Sequence, residues 1–318
     1  MARASPPALA KAVSEAGGLG LIGGGYGDEH DLDLAFAAAA PARVGVGFIT
    51  WSLDRQPELL EQALRHKPTA VMLSFGDPAP HARAIKAAGA ALFCQCQTLR
   101  HVAEAVAAGA DVVVAQGSEA GGHGSVRGTM SFVAEVADYL KAHSPSTLLL
   151  AAGGIADGRG LAASLMLGAD GVLMGSRFWA CEESHVKSGL VDAAIAADGD
   201  ATVRSSVPDI ARGKAWPAPF NIRTLSTQII KHWLPLEAET KANPQQRQEL
   251  AEQYAQGAAE ADPQNTGVIV GEAVGLIHDR PSAKVLVRRI AAEAAGMLST
   301  AASHCGADAG ALSRNSAL

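Results

Sequence analysis

The stretch "TLRHVAEAVAAGADVVVAQ", Thr98 to Gln116, decides the fold. Its first half places Leu99, Val102, Ala103 and Val106 at i, i+3, i+4 and i+7, one face of a helix. Gly109 ends that helix as a C-terminal cap would, and "DVVVAQ" follows at once. The run is continuously apolar, not alternating. A strand buried on both faces belongs in a parallel sheet covered by helices.

The same unit recurs. Strands are expected at 19–24, 43–49, 70–75, 91–96, 111–116, 147–152 and 171–176, with helices such as "PELLEQALRHK", "PHARAIKAAG", "MSFVAEVADYLKAH" and "GRGLAASLMLG" between them. The helix-ending "AAGA" occurs at both 87–90 and 107–110. Strictly alternating strand and helix give either a doubly wound sheet or a (β/α)8 barrel. The steady strand spacing of ~20–30 residues, with no central switch, favours the barrel. Only seven strands are found, and the chain opens on a helix, "SPPALAKAVSEAGG", with Ser5 as its expected cap and Pro6 and Pro7 in its first turn. The expectation is therefore an α/β, (β/α)8 TIM barrel lacking its first strand. Either the fold is an open seven-stranded variant or the true start lies upstream of Met1, and the second is favoured. Residues 1–180 are expected to form the barrel core. Residues 181–318 read as a mostly helical extension packed on it within a single domain, with 181–265 looking helical and polar.

A net charge of −6 and no long Lys/Arg cluster argue against a nucleic-acid footprint, which needs a basic stripe. No apolar run approaches the ~18 residues of a membrane span, so a membrane protein is not expected. Cys94 and Cys96 share one face of a strand, and with Cys181 and Cys305 they offer no second pair at metal-ligand spacing. They read as reduced packing residues. The N-terminus lacks a cleavage-type apolar core, and a cytoplasmic protein is the expectation.

Active sites of such barrels gather at the C-terminal ends of the strands, and phosphates often bind at the loops after strands seven and eight. Those loops are "AAGGIADGRG", with Gly153 and Gly154 and with Asp157 placed to cap the next helix, and "LMGSRF", with Gly175 and Ser176. A third loop, "QGSEAGGHGS", follows strand 111–116. There Gly121 and Gly122 let the main chain pass close to a flat ligand and aim His123 over the barrel mouth. An imidazole titrates near neutrality and can move a proton at a reacting carbon. Glu119 is the expected group to orient it, and Gln95 and Gln116 stand at strand ends where they can hydrogen-bond a heteroaromatic ring edge. No nucleophile elbow or phosphate-cradling P-loop occurs.

"QGSEAGGHGS" (116–125), "AAGGIADGRGLAASLMLGADGVLMGSRFWACEES" (151–184) and "LAKAVSEAGGLGLIGGG" (9–25) resemble the nitronate monooxygenase family, formerly the 2-nitropropane dioxygenases, across about residues 1–185, with a weaker echo in "VGEAVGLI" (270–277). The resemblance implies FMN bound non-covalently, with its phosphate at Gly153, Gly154, Gly175 and Ser176. It implies Gln95 near the flavin ring and His123 as the catalytic residue. Met1 stands where the family has a flavin-contacting methionine, and Gly47 stands where many relatives carry an asparagine. The implied reaction takes an alkyl nitronate, or a nitroalkane, with dioxygen to a carbonyl compound and nitrite. Two alternatives stay open at this point. One is an NAD(P)H-dependent flavin reductase of quinone or enoyl-thioester type, a group that shares the barrel. The other is a non-catalytic truncated barrel. A homodimer is an open expectation.

Overall fold

The computed structural model describes residues 4–27 and 31–304. Met1 and Cys305 lie outside them. Ten strands occur among the described residues: β1 (Leu21–Gly23), β2 (Gly45–Ile49), β3 (Ala70–Ser74), β4 (Ala91–Cys96), β5 (Val112–Gln116), β6 (Gly122–Gly124), β7 (Leu148–Ala152), β8 (Gly171–Leu173), β9 (Thr202–Ser205) and β10 (Asn221–Leu225). Seven of them form one sheet in the order β1-β2-β3-β4-β5-β7-β8, every pair parallel. These are the seven strands read from the sequence, and they make a TIM-barrel-type wall.

The connections follow the local signals. Thr98 caps helix Leu99–Ala107 by accepting from the His101 amide at 3.2 Å. At the other end Gly109 adopts φ +78°, and the Ala110 amide returns to the Ala105 carbonyl at 3.0 Å. A side chain at Gly109 would be strained in that left-handed conformation, so the glycine lets the chain turn straight into β5. Asp157 caps helix Gly158–Met166 as expected, accepting from the Gly160 amide. Ser5 does not cap helix Pro7–Glu15. Its hydroxyl donates to the Leu21 carbonyl instead, and Pro6 is the capping residue without a side-chain bond.

Two apolar layers lie on either side of the wall. Outside, between sheet and helices, sits the large core that includes Val46, Val71, Leu73, Leu92, Val113, Phe132 and Leu149, with Cys94 and Cys96. Burial pushes the Cys94 thiol up to about 12, so it is an inert packing group. Inside the barrel, Met72, Phe93, Val112, Val114 and Ala152 form a smaller layer.

β1 and β8 are the ends of the sheet and do not pair with each other. Helix Ala283–His304 covers this seam from outside by packing on both helix Gly158–Met166 and helix Pro7–Glu15. Leu286 and Ile290 are buried there with Leu9 and Cys181. Apolar burial between these helices thus stands in for the ladder hydrogen bonds that a β8–β1 pair would supply.

Residues between β8 and this last helix contain helices Ser188–Ile195, Gln228–Trp233 and Pro244–Glu260. They are not helical throughout. β9 and β10 lie inside the stretch expected to be helix, and with β6 they form an antiparallel sheet in the order β6-β10-β9. None of the three has an apolar run to mark it. They are held by one another, since His123 pairs with Ile222 and Ile222 with Ser205. Among the described residues no helix is long and apolar enough to cross a membrane.

Candidate active site

A cavity of about 1480 Å³ opens at the C-terminal mouth of the barrel and runs down into the seam. Gly47, Gln95, Gln116, Gly122, His123, Gly153, Gly154, Gly175 and Ser176 all line it, so every described residue singled out from the sequence meets in one place. The glycines do different jobs there. A β-carbon on Gly153, at φ +101°, would stand 3.0 Å from both the Gly117 carbonyl and Thr129 Oγ1. One on Gly121 would collide with Val270 and Gly271. Both are glycine because protein packs against them. A β-carbon on Gly175 would meet no atom within 4 Å, and one on Gly122 would meet only Ile269 at 3.8 Å. Those two open onto the cavity, leaving a cradle that a ligand's body can fill. Ser176 Oγ accepts from the Gly271 amide at 2.9 Å, which leaves its hydroxyl proton to donate toward an anion.

His123 sits at the centre of β6, and 9% of its side chain is exposed. Its Nε2 lies 3.0 and 2.9 Å from the two carboxylate oxygens of Asp209, which is itself buried. An ionised carboxylate can only accept, so Nε2 carries the proton and Nδ1 keeps its lone pair. Arg212 holds Asp209 from the other side at 2.9 Å. Burial pushes His123 below the usual imidazole range, and the Asp209 carboxylate opposes this without cancelling it. The ring is therefore neutral at neutral pH and can act as a base.

Glu119 does not orient His123. Its carboxylate accepts from the Thr129 amide at 2.9 and 3.0 Å and from Thr129 Oγ1 at 2.8 Å, at the N-terminus of helix Thr129–His143. There it complements the helix dipole. Gln116 is also engaged within the protein. Its carbonyl accepts from Gln95 and Gln97, and its amide donates to the His123 carbonyl at 3.1 Å. Gln116 thus fastens β6 to the barrel, and Gln95 is the better placed of the two to meet a ligand.

Besides Asp209 and Arg212, two more groups found only in the structure complete the site. Arg204 on β9 gathers the carbonyls of Ser118, Ala120, Gly122 and Asn221 at 2.9–3.3 Å, so one guanidinium fixes the whole glycine loop. Burial and the neighbouring Arg223 charge bring it down to about 10, which leaves it charged at neutral pH. Trp216 lies flat on His123, ring centroids 3.3 Å apart and planes at 10°. Its indole N–H donates to Tyr26 Oη at 2.8 Å. Phe75 and Trp51 meet it edge-on at 5.0 and 5.4 Å. No group of His, Cys, Asp or Glu able to hold a metal occurs among the described residues.

Fold and site together define an enzyme: a parallel α/β barrel whose mouth carries a buried imidazole–carboxylate pair beside open glycine loops. Comparison with known proteins narrows this class. A family model described as nitronate monooxygenase matches residues 51–293. A nitronate monooxygenase of Metarhizium robertsii, npaC, is 38% identical over 94% of this chain and 90% of its own length. One of Neurospora crassa is 31% identical over 90% and 85%. Among solved structures, FabK from Thermotoga maritima superposes with a TM-score of 0.81 at 29% identity, covering 96% of this chain and 93% of that one. The chain belongs to the nitronate monooxygenase family and is an oxidoreductase.

Proposed function

We propose that the protein is an FMN-dependent enzyme that oxidises alkyl nitronates, and the nitroalkanes from which they form, with dioxygen to a carbonyl compound and nitrite. The observation that carries this reading is the neutral His123, its Nε2 proton engaged by Asp209 and its Nδ1 lone pair available at the cavity.

The residues present fit a flavin mononucleotide. Gly122 and Gly175 leave space that protein does not fill, and the loops at Gly153–Gly154 and Gly175–Ser176 offer backbone N–H groups and a hydroxyl for a phosphate. The volume also admits a flat tricyclic ring, being above the usual ~300–1,000 Å³ of small-molecule sites. Bound there, the flavin would supply the redox chemistry with dioxygen. Gln95, which lines the cavity, would hydrogen-bond the ring edge.

The chain's own part is proton chemistry and orientation. A neutral nitroalkane is a carbon acid, and His123 Nδ1 takes its α-proton. The imidazolium so formed is stabilised by the Asp209 carboxylate, which needs no rearrangement to do it. Burial of the ring keeps water from competing for the base. A nitronate that arrives already ionised needs no base, and His123 then serves as a hydrogen-bonding partner to its oxygens.

The test compares both substrates. The purified protein is expected to be yellow, to release nitrite from nitronates aerobically, and to show no flavin bleaching with NADH under anaerobic conditions. Rapid bleaching by NADH with no nitrite from any nitronate would sink the proposal in favour of a reductase.

A further inference from the structure

We propose that Trp216 is a positioning residue for the base: stacked on His123, its indole holds the imidazole in one plane and favours the protonated ring; this rests on the reading above. The stacking geometry itself points there. The two rings overlap with centroids 3.3 Å apart and planes at 10°. Neutral aromatic rings avoid such full overlap, because their electron-rich faces repel, and settle offset or edge-to-face with centroids about 4.5–7 Å apart. Phe75 keeps to that rule, meeting His123 edge-on at 6.3 Å and Trp216 at 5.0 Å. A cation is instead drawn onto a ring face, and indole offers the strongest such face among the side chains. The His123–Trp216 pair is therefore built for imidazolium more than for imidazole.

Local structure holds the indole there. Just past helix Val207–Ala211 the Lys214 amide returns to the Asp209 carbonyl at 2.9 Å, so one short stretch delivers Asp209 to the edge of the ring and Trp216 to its face. The indole N–H is anchored on Tyr26 Oη at 2.8 Å, and Trp51 meets the ring edge-on at 5.4 Å. The bonds at Nε2 alone would let the imidazole pivot about them. A stacked indole removes that pivot, and the in-plane lone pair of Nδ1 keeps one direction. The charged groups at the ring are Asp209, on Nε2, and Arg212 behind it. On β10 its register partner is the apolar Ile222, and Lys214 faces the Tyr26 ring at 4.2 Å. Carboxylate and indole thus reach the imidazolium from edge and face, and both attractions strengthen as the proton arrives.

The experiment changes the charge distribution of the indole while keeping its shape. Tryptophans carrying progressively more ring fluorines are installed at position 216 of the cofactor-loaded protein; fluorine drains the ring face and leaves the N–H in place. Two quantities are read. The first is the His123 pKa, by NMR titration, with the signal assigned by its loss in His123→Ala. The second is kcat and KM, for a neutral nitroalkane and for its preformed nitronate. A face that stabilises the cation raises the pKa, so draining it should lower the pKa by about 0.5–1.5 units across the series. Over the same series kcat on the nitroalkane should fall by up to about 30-fold, with KM and nitronate turnover nearly unchanged. Trp216→Leu, which also frees the ring to pivot, should lose more kcat than the most fluorinated protein; an equal or smaller loss overturns the fixed plane. A His123 pKa and a nitroalkane kcat that do not move with fluorination overturn the stacked cation. So does a loss shared equally by both substrates at an unmoved pKa, the mark of an indole that only packs the loop. The functional reading fails separately: a protein that oxidises neither substrate, while fluorination still lowers the His123 pKa, refutes that reading and supports the stacked cation.

Discussion

Replacing Asp209 with asparagine is the sharpest probe of how the site works. Asp209 touches His123 Nε2 with both oxygens, at 2.9 and 3.0 Å, in surroundings where 4% of its side chain is exposed. A hydrogen bond to a charged group in such a place contributes about 1.5–3 kcal/mol. If that contribution is felt fully as the imidazolium forms, its loss lowers kcat/KM about 10- to 150-fold, at 1.36 kcal/mol per factor of ten. The asparagine amide can also donate to Nε2, which would move the ring proton to Nδ1 and remove the base. The loss then approaches the ~10²–10⁴-fold of general-base catalysis. The pH profile gives a second, independent sign. A base works in its neutral form, so kcat/KM on neutral nitroalkanes should rise with pH through the His123 pKa and level off. Burial has already lowered that pKa, and Asp209 is what holds it up. Without the carboxylate, and with Arg212 still nearby, the acid limb should move to lower pH, even as the plateau falls. The assay is nitrite release across a pH series, with thermal unfolding and flavin absorbance confirming an intact holoprotein. A variant with an unchanged plateau and an unmoved acid limb would refute the dyad.

Other expectations follow from the same geometry. His123→Ala should retain the flavin and lose about 10²–10⁴ of turnover on neutral nitroalkanes, with a smaller loss on preformed nitronates; equal activity on both substrates, matching wild type, would remove His123 from the chemistry. Gly175→Ala should leave the unfolding temperature of the flavin-free protein nearly unchanged, because the added β-carbon meets no protein atom within 4 Å, yet weaken flavin retention on gel filtration. Gly153→Ala should do the reverse, costing about 1–3 kcal/mol of stability by denaturant titration because φ is +101° and the space is occupied. Arg204→Met removes the donor shared by four carbonyls. It should lower kcat more than it raises KM, since the loop that carries His123 loses its fixed position, and proteolysis should then cut near 118–122.

The barrel was legible in the sequence because its strands are apolar runs, four of which (β1, β4, β5 and β8) follow a helix that ends at a glycine. That pattern is local, and "DVVVAQ" carries it without help from the rest of the chain. The small sheet was not legible for the opposite reason. "GHG" has little strand propensity, and "TVRS" and "NIRTL", although they carry β-branched residues, are short and broken by Arg204 and Arg223. They become strands through tertiary pairing, with Arg204 on β9 bonding the carbonyls of the loop that leads into β6. The same divide runs through the site. His123 could be found from its place after a barrel strand. Its partner could not, because Asp209 is 86 residues away in "SVPDIARG", which reads as one more polar helix. Glu119 was the nearest carboxylate in sequence, yet it lies beside the start of helix Thr129–His143, whose unpaired amides claim it first. The lone Trp216 among glycine and prolines was the available signal that the loop did more than connect.

The division between barrel and insertion has a functional consequence. The barrel supplies Gln95, the glycine loops and the strand end from which His123 hangs, while Asp209, Arg212, Arg204 and Trp216 all come from residues 202–216. The tautomer of His123 is thus set by this segment, while burial holds the ring neutral against the Asp209 carboxylate. Changes there can retune the base without touching the packed core of the sheet. Of the two glycine loops proposed to hold the phosphate, the one at Gly153 is tied to barrel packing and tolerates little change, whereas Gly175 opens onto the cavity. Variation in substrate among relatives of this barrel is therefore expected to concentrate in the segment after β8, and cofactor binding to stay with β7 and β8.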